Sequence, residues 1–149
     1  MTRLVRCGRE DSSVLVEFAM VTPILLVIFA GIIDFGLMMQ RREVVTNAAR
    51  EGARIAVLPS YNLADVQARV NAYLNDGIAP GASTKAVTTM TNVPITVAVG
   101  PQIQARRVEV AYTTRYSILG PVMGLIGGSD FGLITIRASS TMRVEVPGP

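Results

Sequence analysis

The chain has 149 residues, 50% of them hydrophobic and only 17% charged, with a net charge of +3; that is room for one domain and an extra segment. It has no histidine and a single cysteine, Cys7, so it lacks the commonest general base and metal ligand, and no internal disulfide can form. Its 14 basic residues fall at the flanks of an apolar run and on strand faces, not in one patch among aromatics, which argues against nucleic acid as a partner.

Residues 1–12 read as a short basic leader carrying Arg3, Arg6 and Arg9. From Val14 to Met39 the chain is apolar except at Glu17, Thr22, Pro23 and Asp34. A hydrocarbon core needs roughly 20 helical residues, so residues 13–39 are predicted to be a transmembrane helix. No Ala-x-Ala site follows the run, unlike a cleaved secretory signal. Arginines flank it on both sides, so charge alone leaves its orientation open. A carboxylate at membrane depth costs roughly 2.5–3.5 kcal/mol on insertion scales. Asp34, near the far end, reads as interfacial. Glu17 either reaches the headgroups, is protonated, or serves assembly.

Residues 40–58 extend the helix beyond the membrane, because no proline follows Pro23 until Pro59. A helix from Ser13 to Leu58 would be about 65–70 Å long, bent at Pro23. Ala48, Gly52 and Ala56 recur every fourth residue and form a helix-packing seam of small side chains. It suits either the chain's own domain or helices of neighbouring subunits.

Residues 59–149 are predicted to be a small α+β domain. Pro59–Tyr61 is a turn, Asn62 caps a helix from Leu63 to Asp76, and Gly77 ends it. Leu63, Val66, Val70, Tyr73 and Leu74 form its core face. Ala79–Thr91 reads as loop with a short strand at Lys85–Met90. Strands follow around Ile95–Val99 and Val108–Tyr116, separated by a turn at Gly100-Pro101. In the last strand Ile134, Ile136, Ala138, Met142, Val144 and Val146 share one parity and polar residues the other, as in a half-buried antiparallel strand. The fold class is therefore α+β: a long N-terminal helix, then a second helix packed on a three- to four-stranded antiparallel sheet. Ser117–Gly132 mixes apolar residues with five glycines (Gly120, Gly124, Gly127, Gly128, Gly132). Its Ile118, Leu119, Met123, Leu125 and Ile126 either fold over the core or form an apolar patch for a partner or the bilayer surface.

Three motifs carry a family likeness: Val16-Glu17-Phe18-Ala19 with Pro23, Gly31 to Gly36 with Asp34-Phe35, and Ala49-Arg50-Glu51-Gly52-Ala53-Arg54. Together with the closing Ser140–Glu145, this combination resembles the TadE-like proteins, minor pilins or pseudopilins of the tight-adherence (Tad/Flp) branch of the type IV pilus superfamily. The resemblance implies that a prepilin peptidase removes the leader on the cytoplasmic side. It places the N-terminus in the cytoplasm and the domain outside, with the helix in the inner membrane and the subunit available to the pilus. Counting back from the family's glutamate puts the cut between Ser12 and Ser13, with Ser12 where glycine is usual. Glu17 and Phe18 would then serve assembly. The new amine at Ser13 would meet Glu17 of a neighbouring subunit, a pairing worth more in low dielectric than in water.

The implied partners are the membrane, other major and minor pilins, the prepilin peptidase and the inner-membrane assembly platform. The chain has no Walker loop, Gly-x-Ser-x-Gly or Cys pair, and Gly127–Asp130 reads as a turn rather than a phosphate cradle. No enzyme activity, cofactor, metal or small-molecule substrate is expected. The alternative function is a single-pass anchored interaction domain unrelated to pili.

Overall fold

A computed structural model describes residues 9–95, 103–121 and 132–144. Helix α1 runs from Arg9 to Ala56, α2 from Leu63 to Gly77, and a 3-10 turn covers Ala82–Lys85. Strands β1 (Ala86–Ile95), β2 (Ile103–Arg115) and β3 (Leu133–Arg143) form one antiparallel sheet in the order β1-β2-β3. This is the α+β arrangement expected from the sequence.

The 48 residues of α1 span about 70 Å at 1.5 Å per residue. The helix continues through Pro23, whose missing N–H deprives the Ala19 carbonyl of its usual donor. One residue earlier, the Thr22 hydroxyl donates to the Phe18 carbonyl at 2.7 Å. At the other end α1 stops at Ala56, two residues short of the expected Leu58. There the Arg106 guanidinium donates to the Ala56 carbonyl, satisfying one acceptor that the helix terminus leaves open. The turn that follows places Ser60 at φ 78, a left-handed conformation uncommon for a residue with a side chain.

Asn62 starts α2 as its pattern requires. Its side-chain oxygen accepts from the N–H groups of Ala64 and Asp65 at 2.8 and 3.2 Å, and the Asp65 carboxylate accepts from the Asn62 N–H at 2.9 Å. This reciprocal box satisfies donors that the first turn would leave free. α2 buries Val66, Val70 and Leu74 completely. Each contributes about 1.5–3 kcal/mol by leaving water. Leu63 and Tyr73, expected in the core, are 39% and 37% exposed. The helix meets the rest of the domain along a single i, i+4, i+8 stripe, and these two residues flank it.

The sheet also corrects the reading of residues 79–91. Strand begins at Ala86 and continues unbroken to Ile95, paired residue for residue with Tyr112 through Ile103. As an edge strand β1 buries only Thr88, so it lacks the apolar alternation that marks a strand in sequence. Its edge position also tolerates Pro94, which has no N–H for a second ladder. In β2, Val108, Val110, Tyr112 and Thr114 are buried. In β3 the predicted parity holds: Ile134, Ile136 and Ala138 turn inward while Thr135, Arg137 and Ser139 are exposed. Gly132 enters β3 at φ 83, a conformation that glycine adopts without strain. The predicted strand continuation at residues 96–99, the Gly100-Pro101 turn and Val146 lie outside the described residues.

The second half of α1 lies on α2, β2 and β3. Val45, Ala48, Ala49, Ala53 and Ala56 of α1 are fully buried, in one cluster with Val66, Val70, Leu74, Val108, Val110 and Ile136. Gly52 is the closest approach. A Cβ there would stand 2.7 Å from Val70 Cγ2 and 3.2 Å from Val108 Cγ1. Gly52→Ala should therefore destabilise the domain by about 1–3 kcal/mol through overpacking. Gly36→Ala, with nothing within 4 Å, should leave stability unchanged. Thermal unfolding of the detergent-solubilised protein followed by circular dichroism measures both; equal midpoints would remove the packing argument.

Candidate functional site: the junction of the apolar helix and the domain

The surroundings of α1 change along its length. Leu15, Phe18, Met20, Leu26, Phe29 and Ile32 are each 64–72% exposed. Such a surface is costly in water and is satisfied by lipid. α1 is long and apolar enough to cross a membrane, and its apolar stretch is not the core of the folded part. Then Asp34 is 1% exposed, and Met38, Val45 and the small residues beyond are buried. The exposed and packed parts of the helix meet at Asp34.

Asp34 is bound to the domain. After β2 ends at Arg115, the chain turns and becomes helical at residues 119–121. N–H groups at the start of such a turn have no helical acceptor. The Asp34 carboxylate supplies one to each of three consecutive residues. Oδ1 accepts from Ser117 and Ile118 at 2.9 and 3.0 Å, and Oδ2 accepts from Leu119 and Ile118 at 2.7 and 3.2 Å. Two turns along α1, the Arg41 guanidinium donates to Thr114 Oγ1 at 3.1 Å, the Arg115 carbonyl at 3.1 Å and Ser117 Oγ at 2.9 Å. One acid and one base on the same helix thus hold residues 114–119 from both chemical directions. Hydrogen bonds to a charged partner are about twice as strong as neutral ones.

The predicted site residues fall into separate groups. Ser12 and Ser13 lie inside α1, and Ser13, Glu17 and Phe18 are exposed. Among the described residues Glu17 makes no hydrogen bond or ion pair. Ala48, Gly52 and Ala56 are buried against the chain's own domain, one of the two partners open to such a stripe. Ile118 is 40% exposed and Leu119 half-buried. Both face α1, where they line an apolar hollow with Leu26, Val27, Ala30 and Ile33. Met123, Leu125 and Ile126 lie outside the described residues. Among the described residues no three Cys, Asp or Glu side chains gather as a metal site.

The Asp34–Arg41 pair was not read from the sequence as a site. The available signal was a carboxylate near the end of an apolar run, one residue type that lipid tolerates poorly. Its partners are main-chain N–H groups more than 80 residues away, and main-chain groups leave no mark in a sequence.

The fold and this junction define an α+β protein with a long N-terminal helix that is, among the described residues, the one candidate membrane span. The family model described as TadE-like protein matches residues 13–54, which is α1 from Ser13 to within two residues of its end. The match agrees with the likeness read from the motifs and supports a role associated with the Tad pilus. No curated protein and no solved structure matches the chain.

Removing the Asp34 carboxylate should leave three N–H groups without their acceptor. Asp34→Ala is expected to destabilise the junction by about 2–4 kcal/mol, and Asp34→Asn, which keeps one acceptor oxygen, by less. Hydrogen–deuterium exchange of a peptide covering residues 116–121 checks this. Exchange should quicken in the order wild type, Asn, Ala, and unchanged rates would show that the carboxylate does not hold the segment.

Proposed function

We propose that this chain is a non-catalytic minor pilin, or pseudopilin, that takes part in assembly of Tad/Flp pili. In this reading α1 crosses the cytoplasmic membrane once, with the N-terminus in the cytoplasm and the α+β domain outside. A prepilin peptidase cuts between Ser12 and Ser13. The mature subunit then joins other pilins at the inner-membrane assembly platform. The observation that carries the proposal is the TadE-like match over residues 13–54, which coincides with the exposed apolar helix and its continuation into the domain.

Physical chemistry supplies a role for Glu17. An exposed carboxylate about one turn past Ser13 in a lipid-facing stretch costs several kcal/mol if left alone. The described residues of its own chain give it no partner. The amine created at Ser13 of an adjacent subunit is an ion of opposite sign at the matching height, and the pairing would set the axial register between helices. Because Ala48, Gly52 and Ala56 are occupied within the chain, subunit contacts would fall on the exposed apolar half of α1 and on Phe18.

Two measurements test this reading. The intact mass of membrane-extracted protein should fall by residues 1–12 when the cognate prepilin peptidase is active and remain whole when it is absent. Glu17→Ala should keep insertion and the folded domain but reduce piliation severalfold. Normal piliation with an unprocessed chain would overturn the proposal.

A further inference from the structure

α1 and α2 pack on the same side of the sheet, where Val108, Val110 and Ile136 join their core. The register puts the odd-numbered residues of all three strands on the other side, since successive side chains alternate between faces. Arg107, Arg115, Arg137 and Arg143 stand on that outer face and are exposed, with Glu109 as its one acid among the described residues. The chain has 14 basic and 11 acidic residues. Four basic and one acidic lie on this face, so ten of each are left elsewhere and cancel. The described part of this face thus carries a charge equal to the net charge of the whole chain, +3.

The four arginines form a line. In the pairing of β2 with β3, Arg115 stands opposite Leu133, Arg107 opposite Thr141 and Arg143 opposite Ala105. Counted along β3, the charges therefore fall at rows 133, 137, 141 and 143, about 13, 13 and 7 Å apart at 3.3 Å per residue. They alternate between two strands roughly 4.8 Å apart. Between the first and last of them the outward residues of both strands are otherwise only threonine, serine, alanine and Glu109. Arg107 donates to Ser139 Oγ at 3.1 Å, a neutral partner that leaves its charge uncompensated. Arg137 and Arg143 make no hydrogen bond or ion pair among the described residues.

These features select the partner. A protein would need apolar anchors at the centre of its contact, and this stretch has none. A second copy offers no opposite charge, because the remainder of the chain is balanced. A nucleic acid strand places a phosphate about every 3.4 Å and is held by aromatic stacking; the charges here are sparser and no aromatic side chain stands between them. A bilayer cannot lie on the face. Arg41, two residues past the apolar run, reaches the Arg115 carbonyl, and Arg106 reaches Ala56 at the far end of α1, so β2 runs along α1 and the face stands upright on a membrane that α1 crosses. What fits is an extended polymer with widely spaced anions and hydroxyl groups between them.

We propose that the outer face of the sheet binds a linear acidic polysaccharide, its carboxylates paired with the arginine line and its hydroxyls with the threonine and serine side chains. The inference takes from the proposed function only that the domain lies outside the cytoplasm. Binding by purified protein is independent of leader cleavage and piliation, so either reading can fail without the other.

Biolayer interferometry of the full chain in phosphatidylcholine nanodiscs tests it, with alginate, a linear polyuronate, as the probe. Wild type should bind alginate but not neutral dextran, and salt should weaken the binding by screening. Arg137→Gln/Arg143→Gln should lower the affinity on the order of tenfold while keeping the wild-type circular dichroism spectrum. Arg50→Gln/Arg54→Gln, which removes the same charge from α1, should keep the affinity. The proposal is overturned if wild type does not bind alginate at low salt, if dextran binds equally, if the two double variants lose affinity alike, or if single-stranded DNA or phosphatidylglycerol vesicles are held more tightly than alginate.

Discussion

The carboxylate of Asp34 joins two solvents' worth of structure. On one side of it α1 exposes mostly apolar side chains; on the other the same helix is a structural member of a folded domain. A rod and a domain sharing one helix would still need a second attachment to fix how the domain sits against the rod. The three N–H groups of residues 117–119 provide it, since a carboxylate satisfies them only if that segment lies directly against Asp34. Arg41 adds donors to the carbonyl and hydroxyl groups just before them. The end of β2 is thereby fixed at the level where the apolar surface stops.

The rest of the architecture follows from how closely α1 can approach the domain. Small residues at 48, 49, 52, 53 and 56 allow the valines of α2 and β2 to reach the helix backbone, and at Gly52 there is no space even for a methyl group. The exposed half of α1 is built on the opposite rule, with large aliphatic and aromatic side chains directed outward. One continuous helix thus carries two packing chemistries, one suited to lipid and one for a protein core. The TadE-like match covers both, which ties the family likeness to the anchor and its docking surface rather than to the sheet.

Assembly, in the proposed role, would then draw on what the fold leaves unused. The chain spends its small-residue stripe, most of its arginines and Asp34 internally. Glu17, Phe18 and the apolar exterior of α1 remain, and all are suited to contacts within a bilayer. A partner that recognised this protein through the sheet would have to use the polar parity of β3 or the thinly buried edge β1, where side-chain burial provides little to grip.

Several elements were legible in the residues themselves. The length and apolarity of α1, the Asn62 cap, the Val66–Val70–Leu74 stripe and the alternation of β3 are local patterns, set by helical and strand periodicity acting on neighbours in sequence. Three things were decided only by the tertiary structure. The extent of β1 came from pairing along β2, because an edge strand with one buried threonine has no pattern of its own. Leu63 and Tyr73 stayed outside because α1 covers only one narrow stripe of α2. Asp34 became a structural ligand because main-chain donors from a distant turn arrive beside it. Periodicity records which side chains prefer to avoid water, and it contains no information about which distant backbone groups will need an acceptor.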